Sequence, residues 1–196
     1  NILKYSSKPD GETDFKIKAS KYKRYFSKCN NCEHYFANHN FDLEKIYKKH
    51  YSKMTYGSPK KINNIFQKII NLPKSKSDNK NRIERVLKNI KLNFNCLDVG
   101  SGLGVFPYEL KKKNIKIDCI EKDKNLKIHL NNINLRVLNN SIFSKKKIIR
   151  YNFISMNKII EHIEQPKIFL QKFYKLLKNK GYLYIEAPSI SALKSK

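Results

Sequence analysis

From residue 93 onward the sequence alternates apolar segments with amphipathic ones, and this alternation constrains the fold more than any other feature. The apolar segments have the length of buried strands, and the segments between them repeat apolar residues at helical spacing. Predicted strands cover 93–99, 115–121, 135–139, 149–157 and 182–187. Predicted helices cover 103–113, 124–133 and 166–180, the last closed by Gly181. Such alternation predicts an α/β fold with a doubly wound, Rossmann-like parallel sheet.

The segment LDVGSGLGVF, residues 97–106, joins the first of these strands to the first helix. Its alternating glycines lack a Cβ, so the chain can turn sharply and a ligand can approach the backbone. A dinucleotide-binding turn would place its third glycine at position 105, where this chain has Val105. Asp98 ends the strand, where a carboxylate suits an amino group better than a pyrophosphate. Glu121 ends the next strand, where a carboxylate can accept hydrogen bonds from ribose hydroxyls.

LDVGSGLGVF followed by IDCIEKD resembles the class I S-adenosylmethionine-dependent methyltransferases. In that family the glycine turn contacts the methionine part of the cofactor, and the acid after the second strand holds the ribose. The resemblance therefore implies a cofactor site made of Asp98, Gly100, Ser101, Gly102, Gly104, Glu121, Asn140 and Asn157. Asn140 stands with Asn139 and Ser141 after the third strand, where the family often has an acid near the adenine. The alternative is a glycine-rich turn that binds no ligand.

Residues 151–189 resemble the fourth-strand region of the same family, although Lys180 replaces the first glycine of its usual pair. The resemblance places His162 opposite the transferable methyl group, as a general base or as a group that orients the acceptor. Glu161 precedes His162 and is its candidate partner. The alternative for His162 is a structural residue that packs or caps.

The absence of two motifs limits the classes of molecule that could accept the methyl group. Enzymes that methylate amino groups of adenine or glutamine resemble one another in an N/D-P-P-Y/F motif after the fourth strand, where this chain has MNKII, and no Pro-Cys nucleophile of a cytosine C5 enzyme is found there. We therefore expect O- or C-methylation of a small molecule, a sugar or a related metabolite. Alternatives are an RNA methyltransferase that uses a lysine-rich surface, and a non-catalytic cofactor-binding module that recruits a partner.

The formal charge of +26 is compatible with a polyanionic partner, but its composition argues against nucleic acid. Only five of the 42 basic residues are arginine, the side chain that bidentate phosphate and base recognition favours. Abundant Lys, Asn and Ile indicate an AT-rich coding bias instead. No apolar run is long enough to span a membrane, no secretory signal is visible and no membrane partner is expected. Nothing in the sequence indicates an oxidising compartment, which with the lack of a signal favours the cytoplasm, while the oligomeric state stays open.

Cys29 and Cys32 form a C-x-x-C motif between two predicted aromatic strands within residues 21–40. Such a pair can supply half of a tetrahedral structural zinc site. The other two ligands could be His34 and His39, or a redox pair could replace the metal site. The N-terminal half resembles a bacterial subgroup with a cysteine-bearing segment, which implies a second cysteine pair upstream of Asn1.

We predict three parts: a cysteine-bearing, zinc-binding segment at 1–41, a helical connector or lid at 42–92, and a cofactor-binding methyltransferase domain at 93–196. The connector contains a helical segment that opens at Asp42 and then two amphipathic helices, with Ser58 as the cap of the first of these and Ser77 or Asp78 as the cap of the second. The expectation from the resemblance is a fragment lacking both ends, so that the last strands of the sheet are missing and strand five is an exposed apolar edge.

Overall fold

The computed structural model describes residues 2–5, 23–39, 51–139 and 149–188, which fall into two compact units. The first unit comprises 1–57 with 189–196, and the second comprises 58–188. In the first unit, an antiparallel sheet has the order β1-β2-β3. The strands are β1 (Ile2–Tyr5), β2 (Arg24–Lys28) and β3 (Tyr35–His39). The same unit contains a short helix, α1 (Tyr51–Thr55). The two aromatic strands predicted around the C-x-x-C motif are therefore β2 and β3.

The second unit contains a five-stranded parallel sheet with the order β6-β5-β4-β7-β8. The strands are β4 (Asn95–Val99), β5 (Lys116–Ile120), β6 (Arg136–Leu138), β7 (Tyr151–Asn157) and β8 (Leu177–Glu186). The helices are α2 (Pro59–Ile70), α3 (Asp78–Leu87), α4 (Val105–Lys112), α5 (Lys124–Asn132) and α6 (Pro166–Tyr174). The strand order reverses at β4, which places the crevice favoured by ligands at the carboxyl end of that strand.

Helices cover both faces of this sheet, as the doubly wound prediction requires. On one face, Cys96 and Phe153 pack with buried residues of α3 and α4 such as Val86 and Leu110. On the other face, Leu97 packs with Phe173 and Leu176 at the end of α6. In the described part of the chain, no helix is long and apolar enough to span a membrane.

Helices α2 and α3 begin where the sequence predicts. The Ser58 hydroxyl accepts a hydrogen bond from the Lys61 amide at 3.4 Å, and Ser77, rather than Asp78, caps α3 with a 3.2 Å bond from Lys80. The fully buried Phe66 ring of α2 meets the rings of Tyr108 and His129 edge-on, with centroids 5.1 Å apart in both pairs. Both helices thus belong to the compact unit that holds the sheet. The three-part division of the chain stays a prediction, and residues 42–50 of its connector lie outside the described residues.

The predicted helix over 166–180 is wrong at its carboxyl end. Helix α6 ends at Tyr174, and β8 already begins at Leu177. Leu177 pairs with Tyr151, whereas Tyr182 pairs with Phe153, so residues 178–181 bulge out of the ladder. A Cβ at Gly181 would lie 2.9 Å from the Lys178 carbonyl oxygen, so this glycine serves the bulge and not a helix end. Apolar residues at 169, 170, 173, 176 and 177 fit a helix, but the buried Leu176 is drawn into the sheet by a 2.7 Å bond from the Tyr151 amide.

Candidate cofactor site

The glycine turn connects β4 to α4 at the carboxyl end of the central strand. The amides of Gly100 and Ser101 both donate to the Ile120 carbonyl, at 2.7 and 3.2 Å, which fixes the turn against the end of β5. The Gly104 amide donates to the Ser101 carbonyl at 2.8 Å and closes the turn. All three glycines have a positive φ, of 69° at Gly100, 53° at Gly102 and 74° at Gly104. The backbone conformation therefore favours glycine at each of these positions.

The three glycines differ in what surrounds them. A Cβ at Gly100 would overlap the side chain of Ile159, whose Cγ1 would be 2.8 Å away, and a Cβ at Gly104 would meet Leu130 and Leu135. Around Gly102, no atom of the described residues other than its chain neighbours lies within 4 Å of that point. Packing within the protein thus explains the lack of a side chain at the outer two glycines. At Gly102 the free space leaves room for a ligand against the backbone.

Glu121 lies beside this open glycine, because the two residues follow neighbouring parallel strands. Its Oε2 accepts a 2.8 Å hydrogen bond from the Gly102 amide, and its Oε1 accepts bonds from the amides of Lys122 and Asp123 at 2.7 and 2.9 Å. A carboxylate has about four acceptor positions, so about one remains for a ligand in this arrangement. Binding both hydroxyls of a ribose would require the Gly102 amide to exchange its partner.

Asp98 lies behind the turn, with only 2% of its surface exposed. Its Oδ1 accepts a 2.6 Å hydrogen bond from the hydroxyl of Ser155, which pairs with Asp98 in the sheet, and a 3.3 Å bond from Asn157 Nδ2. Burial raises the pKa of Asp98 to about 6, and the hydrogen bond from Ser155 opposes this rise. Asp98 is therefore a buried charge that titrates close to neutral pH, and Asn157 lies between it and the end of β7.

Asn157 has an unsatisfied acceptor. Its amide nitrogen donates to the Asp98 carboxylate, which fixes the orientation of the amide because a carboxylate only accepts. The remaining Oδ1 is buried and has no partner among the described residues. Such an orphaned oxygen indicates a site that a donor of a ligand can complete.

Two other predicted cofactor contacts are less informative. The Ser101 hydroxyl donates to the Asp98 carbonyl at 3.2 Å, so its proton serves the turn itself. Asn140 lies outside the described residues, and its predicted contact with the adenine stays a prediction.

His162 and Glu161 lie in a short 3₁₀ turn, Ile160–His162, that follows β7. The preceding Ile159 packs against Gly100, so this turn lies at the same edge of the sheet as the glycine turn. His162 Nε2 and Glu161 Oε1 are 3.9 Å apart, too far for a hydrogen bond but close enough for electrostatic attraction. The His162 imidazole is 41% exposed. Partial burial raises the pKa of Glu161, and the charge of Glu186 contributes less to this rise. The structure thus leaves His162 accessible to an acceptor.

An ion pair at the end of β8 was not found from the sequence. Arg82 of α3 is 5% exposed, and its guanidinium makes a bidentate contact with Glu186, with the Nε bond at 2.9 Å. Tyr184 donates to the same carboxylate at 2.8 Å, and Arg85 adds a bond at 3.3 Å. These donors, chiefly Arg82, hold the pKa of Glu186 at about 2. One available signal was the position of Glu186, which ends its strand as Asp98 nearly does in β4.

The C-x-x-C motif forms a tight turn between β2 and β3 in the first unit. The Cys29 amide donates to the His34 carbonyl at 2.8 Å, and Glu33 has a φ of 58°. Both thiols are free, and backbone amides of Cys32 and Asn31 lower the pKa of Cys29. Within the described residues, no group of three or more metal-ligating side chains is present. The zinc site stays a prediction.

Comparison with known proteins gives a family and a fold. A family profile described as a methyltransferase domain matches residues 71–195. Among curated proteins, no sequence matches the chain. Among solved structures, a candidate S-adenosyl-L-methionine-dependent methyltransferase from Methanococcus maripaludis is 18% identical with a TM-score of 0.52, covering 66% of this chain and 64% of that one. This likeness supports the methyltransferase fold.

Two further structures contain bound ligands. Coclaurine N-methyltransferase, bound to N-methylheliamine and SAH, is 19% identical with a TM-score of 0.49, covering 63% of this chain and 43% of that one. The glycopeptide N-methyltransferase MtfA, complexed with S-adenosyl-L-methionine, is 10% identical with a TM-score of 0.47, covering 55% of this chain and 53% of that one. The chain therefore spans about half the length of these two enzymes.

Proposed function

Because the chain belongs to the methyltransferase-domain family, we propose that it transfers the methyl group of S-adenosylmethionine to a small-molecule acceptor. The observation that carries this proposal is the glycine turn, where the open side of Gly102 meets the carboxylate of Glu121. Family membership and fold agree with the predicted class I methyltransferase.

The residues at the turn fit the chemical groups of this cofactor. Glu121 would accept hydrogen bonds from the ribose hydroxyls once the Gly102 amide releases it. The unpartnered Oδ1 of Asn157, backed by the charge of Asp98, would accept a hydrogen bond from the cationic α-amino group. When bound, the cofactor supplies a methyl group on a positively charged sulfur, which a nucleophile can displace in line.

His162 would serve the acceptor. A hydroxyl acceptor loses its proton as its oxygen attacks, and an exposed imidazole at this edge can take that proton. Glu161, 3.9 Å away, would favour the resulting imidazolium by its charge. Replacing His162 by Gln is expected to lower kcat about 10²- to 10⁴-fold and to leave affinity for S-adenosylhomocysteine unchanged. A fully active His162→Gln variant would assign His162 a structural role.

We propose a sugar or a related metabolite as the acceptor, methylated on oxygen or carbon. Support comes from MNKII, which stands where amino-methylating enzymes resemble one another in an N/D-P-P-Y/F motif, and from the absence of Pro-Cys at that place. The test is transfer of a labelled methyl group from S-adenosylmethionine, offered in parallel to sugars, nucleotide sugars and total RNA. Label in a sugar is the expected result. Label in RNA instead would overturn the acceptor class.

We also propose that Cys29 and Cys32 supply two ligands of a structural zinc ion, in a protein of the bacterial cytoplasm. Support comes from the tight turn that presents both free thiols and from the amides that favour the Cys29 thiolate. Cobalt titration is the test, because thiolate ligands give a charge-transfer band. The band should disappear in Cys29→Ser with Cys32→Ser and persist in the matched control Cys96→Ser, whose thiol is buried.

A further inference from the structure

The end of the sheet opposite the glycine turn carries a concentration of positive charge. Three helix-to-strand segments, 88–95, 111–116 and 172–181, lie at this amino-terminal end, together with Arg150 just before β7. We call these residues the basic edge. Its cationic side chains, all exposed, are Lys88, Lys91, Lys111, Lys112, Lys113, Lys116, Arg150, Lys172, Lys175, Lys178 and Lys180. The three segments contain no Asp or Glu.

Six of the ten acidic residues in 58–188 lie at the opposite end of the same sheet, beside lysines such as Lys122 and Lys158. They stand at or just after the carboxyl ends of the strands: Asp98, Glu121, Asp123, Glu161, Glu164 and Glu186. A coding bias toward lysine raises the positive charge over the whole surface, but it does not explain why the three segments of the basic edge contain no acidic residue. The separation of charges therefore needs a physical reason.

Helix dipoles explain part of this separation. Lysines in the last turn stabilise a helix, because their charge attracts the partial negative charge at its carboxyl end. Lys111, Lys112 and Lys172 occupy such positions. Lys91, Lys116 and Lys178 lie in a loop or in strands, where no helix end requires them. Between described residues, no ion pair includes a side chain of the basic edge. Lys178 Nζ instead contacts the neutral Asn152 Oδ1 at 3.1 Å, so the charge of the edge faces solvent without neutralisation.

Large apolar side chains are exposed among these lysines. Tyr174 is 75% exposed, Leu92 is 68% exposed, and Tyr182, which follows the bulge in β8, is 45% exposed. An aliphatic side chain such as Leu92 contributes nothing to the binding of a nucleic-acid phosphate backbone, which stays in water. At a bilayer surface, by contrast, leucine and tyrosine enter the interface while lysines reach the lipid phosphates on flexible stems.

We propose that the basic edge binds an anionic lipid surface. The exposed Leu92, Tyr174 and Tyr182 select this kind of surface, because their apolar side chains can enter the interface while the neighbouring lysines reach the anionic headgroups. This orientation directs the glycine turn, at the other end of the strands, away from the membrane. The contact is peripheral and departs from the expectation, drawn from the sequence, that the protein has no membrane partner. It stands independently of the proposed methyl transfer.

The test compares two triple variants of equal charge change. Lys91, Lys113 and Lys175 are replaced by Gln in the first, and the exposed α2 lysines Lys60, Lys61 and Lys68 are replaced by Gln in the second. Flotation with phosphatidylcholine vesicles containing phosphatidylserine measures the partition of each. Each lysine near such a surface contributes about fivefold, so the first triple should bind about a hundredfold more weakly, and the second should bind nearly as the parent does.

Three outcomes would overturn the proposal. Equal weakening by both triples would mean that net charge alone, and not the basic edge, attracts the protein. Displacement from vesicles by single-stranded RNA at a lower concentration than the lipid would make nucleic acid the partner. A lower melting temperature of the first triple, with unchanged vesicle binding, would assign the lysines to helix stabilisation. A further variant, Leu92→Ser, keeps the charge and should still weaken vesicle binding several-fold.

Discussion

Replacing Glu186 by Gln tests how α3 is held to the end of the sheet. Glutamine keeps the size of the side chain but removes the charge that pairs with Arg82, which is 5% exposed. Breaking a buried ion pair from one side leaves the other charge without compensation, at about 3–5 kcal/mol when both groups are fully buried. Here the Glu186 side chain is 24% exposed, and the nearby Arg85 side chain can change its position when the charge is removed. The destabilisation should therefore be smaller than for a fully buried pair.

The pKa of Glu186 gives the expected size of the effect and its dependence on pH. A fall from the usual 4.5 to about 2 corresponds to roughly 3 kcal/mol at 1.36 kcal/mol per unit. Because part of the side chain is in solvent, we expect a loss of about 2 kcal/mol at pH 7. A lowered carboxyl pKa stabilises the fold above pH 4.5, and this contribution is lost as the pH falls through 4.5 toward 2.

Urea unfolding of the parent chain and of Glu186→Gln, at neutral pH and at several acidic pH values, measures this difference. The matched control is Glu84→Gln, also on α3, whose ion pair with Lys74 is 55–62% exposed and should contribute less than about 1 kcal/mol. The difference between the parent and Glu186→Gln should shrink as the pH falls below 4.5. Equal loss in both variants at pH 7, or a difference that does not change with pH, would refute the reasoning.

Further predictions concern the turn and its buried acid. Gly100→Ala should destabilise the protein by about 2 kcal/mol or more, because its Cβ would overlap Ile159 and a positive φ is unfavourable for alanine. Gly102→Ala has only the cost of the positive φ and should destabilise the protein by about 1 kcal/mol. Thermal unfolding of the two variants measures this difference. Equal losses would mean that Ile159 does not restrict the turn. Ser155→Ala removes a donor to Asp98, so it should raise the pKa of this carboxyl further above about 6 and lower stability at pH 7 by about 1 kcal/mol, as carboxyl NMR titration and urea unfolding can measure. An unchanged pKa would mean that the hydroxyl does not stabilise the ionised form.

Local patterns were enough to predict the sheet and to place the glycine turn and Glu121 after two of its strands. Alternating apolar and amphipathic segments define parallel strands, and residues after neighbouring parallel strands share one edge. The end of α6 could not be predicted in the same way. Residues 169–177 satisfy a helical period, and only the pairing of Leu177 with Tyr151 decides where the strand begins.

Contacts that depend on tertiary packing also escaped the sequence. Arg82 and Glu186 are 104 residues apart, and they meet because Ile83 and Val86 of α3 belong to the core cluster against which Tyr184 of β8 packs. Ser155 stands in an apolar strand with no local sign of a role. Its hydroxyl reaches Asp98 because the register of β4 and β7 places the two residues side by side.

Calorimetric titration of the chain with S-adenosylhomocysteine tests the proposed cofactor site most directly. We expect one binding site. Its affinity should be about 10- to 100-fold weaker in Glu121→Gln, because charge-assisted hydrogen bonds to the ribose are lost. The control Glu84→Gln should bind as the parent does. Affinity should also fall as the pH drops below about 6, where Asp98 takes up a proton, and Asp98→Asn should remove this dependence. Absence of binding, or equal affinity in the parent and Glu121→Gln, would contradict the proposed site.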